Sequence, residues 1–173
     1  MSYVPEADAL EHPIRALILR FVERHPGIRL TELSVCLGLE NSTLLWHLRK
    51  LQSADLIHRL GSPRARVYWA QKAGKEGKDT ARRVSVLNTE RKRAVLSTIV
   101  AQPGIRMIDA APQIGITAAV ARQVANLLEE ADLATRIEQP GGHAFHPGAQ
   151  AAAALEASMA IQEALQQAGK STK

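Results

Sequence analysis

Ile14, Leu17, Ile18, Phe21 and Val22 recur at three- and four-residue spacing behind His12-Pro13. That spacing predicts a helix with one buried face and Pro13 at its first position. Pro26-Gly27 ends it. A short second helix then carries Leu33, Val35, Cys36 and Leu37, with Thr31 as its cap, and Gly38 supplies a tight turn that tolerates positive φ. A third helix runs from Asn41 to Ser53, with Leu44, Leu48 and Leu51 inward. Two short strands, 56–60 and 66–70, flank the turn-forming Gly61-Ser62-Pro63-Arg64-Ala65.

The pattern then repeats. His25-Pro26-Gly27-Ile28-Arg29 returns as Gln102-Pro103-Gly104-Ile105-Arg106, 77 residues later. Without a gap, Gly38 falls on Gly115, Leu51 on Leu128, Ala54-Asp55-Leu56 on Ala131-Asp132-Leu133, and Arg59 on Arg136. A register held that long marks two copies of one unit. They are placed at 8–70 and 88–147, with a basic linker at 71–87 in which Gly74 and Gly77 should keep Lys72 to Lys78 mobile. In the second copy Asn88 or Thr89 caps the first helix, Pro112 breaks the short one early, and Thr117 caps the third, which turns Ala121, Val124, Ala125 and Leu128 inward. Wing strands 133–137 and 144–146 surround Gln139-Pro140-Gly141-Gly142.

Residues 148–168 are Ala-rich and predict a C-terminal helix, with Leu155, Met159, Gln162 and Leu165 along one face and Ile161 beside them. Such a helix is marginal alone in water and needs a partner. Its own second unit is one candidate. The same helix in another chain, giving a homodimer, is preferred.

Helix, helix, glycine turn, helix and hairpin is the winged helix-turn-helix order. The segment from Pro26 to Tyr68 resembles the winged-helix regulators of the ArsR/MarR type, on the phrase Leu39-Glu40-Asn41-Ser42-Thr43-Leu44-Leu45-Trp46-His47-Leu48-Arg49-Lys50-Leu51 and the ending Ala54-Asp55-Leu56-Ile57. The likeness is close for the first copy and weak for the second. It implies that the third helix enters the major groove of double-stranded DNA and that the wing touches backbone or minor groove. The expected fold is mainly α with small β-hairpin wings: two tandem winged helix-turn-helix domains plus a C-terminal helix.

Charge separates the copies. The chain carries +5 overall, with a pI near 9.7. Residues 1–70 are +2, residues 71–93 are +5 and residues 94–147 are −2. Since phosphate neutralisation supplies most non-specific DNA affinity, the first copy is the better reader. Arg49 and Lys50 on its third helix, with Arg64 and Arg66 at its wing, are the candidate contacts to phosphate or base edges. Asn41, Ser42 and Thr43 open that helix, either bonding DNA at its positive end or acting as ordinary caps. Leu45 and Trp46 stand where polar base-contacting residues are expected. Leu45 suits a thymine methyl, while Trp46 suits the underside of the wing or a partner protein. The cations Lys72, Lys75, Lys78, Arg82, Arg83, Arg91, Lys92 and Arg93 either follow DNA backbone or keep a connector solvated.

Other chemistry is poorly supported. Cys36, the single cysteine, excludes an intrachain disulfide and reads as a buried core thiol. His143 and His146 fall on opposite faces of a strand, without further ligands for a metal. His47, beside Leu48, reads as packed within the domain. No nucleophile motif, phosphate loop or carboxylate pair points to an enzyme or a cofactor. The N-terminus lacks a signal-peptide pattern and no run is long enough to span a bilayer, so a cytoplasmic location without membrane contact is expected. The competing class is a tandem winged-helix interaction subunit of a chromosome-organising or transcription complex. The operator, the effector and the sense of regulation are not encoded in any motif.

Overall fold

In the computed structural model, which describes residues 10–62 and 65–171, Pro13 opens helix α1 (Pro13–Arg24). Proline is harmless there, since first-turn amides have no intrahelical partner. The His12 imidazole accepts a hydrogen bond from the Ile14 N–H at 3.3 Å. Ile18 and Val22 are buried, whereas Leu17, expected inward, is half-exposed. It lies about 100° round the helix from Ile18, beyond the face that packs.

Next come β1 (Ile28–Arg29), α2 (Leu30–Leu37), α3 (Asn41–Ser53), β2 (Ile57–Leu60) and β3 (Val67–Ala70). Strand β1 had no sequence signal, because two residues are too few to alternate. It pairs antiparallel with β3, Ile28 opposite Tyr68, and completes a sheet of order β1-β3-β2. Arg29, not Thr31, is the N-cap of α2. Its backbone is extended and its N–H donates to the Glu32 carboxylate at 2.8 Å, so Thr31 falls inside the helix, exposed. Leu44, Leu48 and Leu51 of α3 are buried as the spacing predicts, along with Ile28 and Leu33. Each such burial stabilises the fold by roughly 1.5–3 kcal/mol.

The segment expected to be mobile is ordered. A 3-10 turn (Gln71–Ala73) leads into α4 (Gly74–Val86). Gly77, Ala81 and Val84 form its buried face, while Lys75, Lys78 and Arg82 point outward. Ala81 joins Val67 and Trp69 in an apolar cluster. Small residues at positions 77 and 81 disguised an ordinary helical period as a polar connector.

The second stretch contains α5 (Glu90–Ala101), β4 (Ile105–Arg106), α6 (Met107–Ile114), α7 (Ala118–Glu130), β5 (Ala134–Gln139) and β6 (Gly142–Pro147). From α5 to α7 every bound lies 77 positions after its counterpart, and the sheet order, β4-β6-β5, is the same. Thr89 and Thr117 accept capping bonds from Lys92 and Val120 N–H. Pro112 does not break α6. The carbonyl it leaves unmatched is that of Ile108, an exposed first-turn residue open to solvent. The two wing strands are longer than expected, leaving only Pro140-Gly141 between them.

Helix α8 (Ala151–Ser171) starts and ends three residues later than the composition suggested. Its buried positions are Ala151, Ala154, Leu155, Ser158 and Ile161, and Met159 is half-exposed. The large residues alone had placed the face wrongly, because alanine carries much of the contact. Ala151, Ala154 and Leu155 share a core with Leu96, Ile99, Leu128 and Phe145. By its contacts the chain divides into two units: Val86–Ser158, and the remainder up to Ser85 with the chain from Met159 onward. Among the described residues no helix is long and apolar enough to cross a membrane.

Candidate nucleic-acid interface

Asn41, Ser42 and Thr43 are all exposed on the first turn of α3. None of them is the cap. Glu40 holds that position in an extended conformation and makes no side-chain bond to the turn. The first-turn amides are therefore unsatisfied by any cap and face outward at the positive helix end. Further along the helix Arg49 is exposed, Leu45 and Lys50 are half-buried, and Trp46 is 51% exposed. The Trp46 ring meets His47 edge-on at 4.8 Å and carries the Lys50 ammonium 5.8 Å above it. It stands beside one candidate cation, Lys50. Arg66 is half-buried at the entry to β3, and Arg64 lies outside the described residues.

Three such charges are felt at Tyr68: burial pushes its phenol up, while the charges of Arg66, Arg59 and Arg49, and a hydrogen bond with Arg66, pull it back. Arg59 was missed as a site residue. It stands directly opposite Tyr68 in the β2–β3 register and is exposed, next along the strand from half-buried His58. No linear spacing marked it, since strand alternation puts Arg59 on the same face as buried Ile57. Among the described residues none of the three has a carboxylate within ion-pairing distance. A face whose like charges have no carboxylate beside them favours an anionic partner.

Behind this face His47 is buried, its ring 4.8 Å from that of His12, and its Nδ1 has no hydrogen-bond partner. Burial, then the charges of His12 and Arg15, lower its pKa. The folded protein thus keeps His47 neutral, while the unfolded chain protonates it near about pH 6.5. Below that pH the unfolded state binds more protons, so stability present above it is lost as pH falls. Thermal melts should show Tm dropping from about pH 7 towards pH 5. His47→Gln should flatten that slope; an unchanged slope would place the effect elsewhere, for instance at His25, which burial also lowers.

The corresponding helix of the second unit, α7, exposes Arg122 with Gln123 and Asn126. His143 is exposed opposite Glu138, and His146 is half-buried opposite Thr135. Cys36 is half-buried rather than in the core, and its thiol is pushed up by burial and then by the Glu32 carboxylate, which makes it a weak nucleophile.

Residues 12–58 match a protein family described as winged helix-turn-helix DNA-binding. No curated protein sequence matches the chain. Among solved structures it is similar to reduced HlyU from Vibrio cholerae N16961, at 11% identity and TM-score 0.42, over 53% of this chain and 90% of that one. It is similar to the multiple antibiotic-resistance repressor MarR from Listeria monocytogenes 4b F2365, at 17% identity and TM-score 0.41, over 58% and 73%. The PcaV transcriptional regulator from Streptomyces coelicolor, solved with its natural ligand, aligns at 16% identity and TM-score 0.45, over 78% and 84%. The fold is mainly helical with small antiparallel wings, and residues 12–58 are the part of it that matches the winged helix-turn-helix family model.

Proposed function

We propose that this chain is a cytoplasmic DNA-binding transcriptional regulator in which the first of two tandem winged helices reads DNA. The second winged helix and the C-terminal helix assemble or tune it. The observation that carries the reading is that Arg49, on the same helix as the exposed turn Asn41-Ser42-Thr43, and Arg59 and Arg66, beside the sheet strands, have no carboxylate within ion-pairing distance among the described residues. Helix α3 enters the major groove, with Asn41, Ser42, Thr43 and Leu45 towards base edges and Arg49 and Lys50 towards phosphate or guanine. Arg64 and Arg66 follow the backbone at the wing, and Trp46 borders the contact. The exposed cations of α4 follow DNA backbone. The exact 77-residue recurrence of element bounds supports the tandem reading. Half-exposed Met159 supports a homodimer through α8.

Selection of bound genomic fragments, followed by fluorescence titration at several salt concentrations and sedimentation of the free protein, tests this. Specific fragments bound with a steep salt dependence, by a dimer, are the expected result. A second reading, a protein-interaction subunit, is favoured by the exposure of Trp46. Absence of DNA binding even at low salt decides for it.

A further inference from the structure

The second unit is poor in cations, yet it concentrates the ones it has. Arg106, Arg122 and Arg136 are the only Lys or Arg residues between 94 and 147, and all three line one cleft of about 370 Å³. They come from three elements: β4, α7 and β5. Asp109 holds Arg106 in a fork, at 2.8 and 3.3 Å, and Glu129 lies 3.6 Å from Arg136. Arg122 has no carboxylate within ion-pairing distance among the described residues. The first turn of α6 borders the same cleft through Met107 and Ile108. Amides there have no intrahelical acceptor and the helix dipole favours negative charge. Ile108, 59% exposed, gives the cleft an apolar wall.

We propose that this cleft binds a small organic anion. A carboxylate or phosphate head sits between Arg122 and the first turn of α6, and a compact apolar body lies against Ile108. The volume falls in the range of ligand pockets, roughly 300–1,000 Å³. A DNA duplex is a worse occupant. Asp109 and Glu129 stand among the arginines, and the surrounding segment is net negative, so a polyanion is repelled where a single charged head is matched by one free guanidinium. The proposal does not depend on the first unit reading DNA.

Calorimetric titration of the full chain with benzoate, phenyl phosphate and inorganic phosphate tests it, with arginine side-chain NMR reporting the site. Benzoate or phenyl phosphate should bind saturably, and the stronger of the two identifies the head group. Arg122→Gln should weaken binding about tenfold, the usual worth of a charged hydrogen bond. Arg20→Gln, an exposed change in α1, should leave it intact. Should Arg122→Gln fail to fold, Arg136→Gln takes its place. No saturable binding of any probe, equal binding by the folded variants, or perturbation of Arg122 by duplex DNA alone overturns the proposal.

Discussion

Replacing Arg49 and Lys50 together by alanine should weaken DNA binding by about a hundredfold at physiological salt, taking each base-edge or phosphate contact as worth about 1–3 kcal/mol. The dependence on salt should change with it. Each phosphate contact contributes about 0.9 to the slope of log K against log salt, so the double variant should lose up to about two units of slope. The fold is not at risk, because the inward face of α3 is Leu44, Leu48 and Leu51 and neither cation belongs to it. Arg59→Ala should also lose affinity, since its charge is felt at Tyr68 together with those of Arg49 and Arg66. Arg122→Ala, on the equivalent helix of the second unit, should change little. Anisotropy titrations of the three variants against one selected fragment are decisive: equal losses in the Arg49/Lys50 double variant and at Arg122 would remove the division of labour between the units.

The helices of the first unit were legible because their large aliphatic residues keep helical spacing, and α3 was placed at Asn41–Ser53 from Leu44, Leu48 and Leu51 alone. What was hidden had a physical cause in each case. Strands β1 and β4 are two residues long and exist only because β3 and β6 offer them an edge. Helix α4 buries Gly77 and Ala81, whose lack of bulk left no hydrophobic signature. The same property of alanine moved the buried face of α8. At the interface, Arg49 and Arg66 were visible as cations on predicted elements. Arg59 became a site residue only through the pairing of β2 with β3, which no linear spacing displays. Arg106 and Arg136 likewise met Arg122 only once β4 and β5 were folded against α7, so net charge per segment undervalued what the second unit can bind.

Gly27→Ala should cost about 2–5 kcal/mol, combining backbone strain with overpacking, and lower Tm far more than the addition of one methyl group suggests. Gly27 has φ +93°, a conformation that L side chains rarely adopt. Its N–H donates to the Tyr68 carbonyl at 2.8 Å, which ties the turn to the sheet and prevents it from rotating away. A Cβ added there would stand 2.8 Å from the Val84 Cβ and 2.9 Å from its Cγ1, with the Ala81 Cα at 3.2 Å. Those atoms belong to the buried face of α4, so the whole helix must lift. Gly104, the same residue of the repeated pentapeptide, separates the two causes. Its φ is +86°, but the added Cβ would meet only the His146 imidazole, at 3.3 Å, a side-chain end that can move. Gly104→Ala should therefore show the backbone strain without the helix displacement, about 1–3 kcal/mol. Val84→Ala placed in the Gly27→Ala background should recover only part of the loss, because it removes the Cγ1 at 2.9 Å and keeps the Cβ at 2.8 Å. Chemical denaturation of the three variants measures all of this. Equal losses at Gly27 and Gly104, with no recovery from Val84→Ala, would mean that α4 is not held against the turn, and that the basic segment is the loose connector its composition suggested.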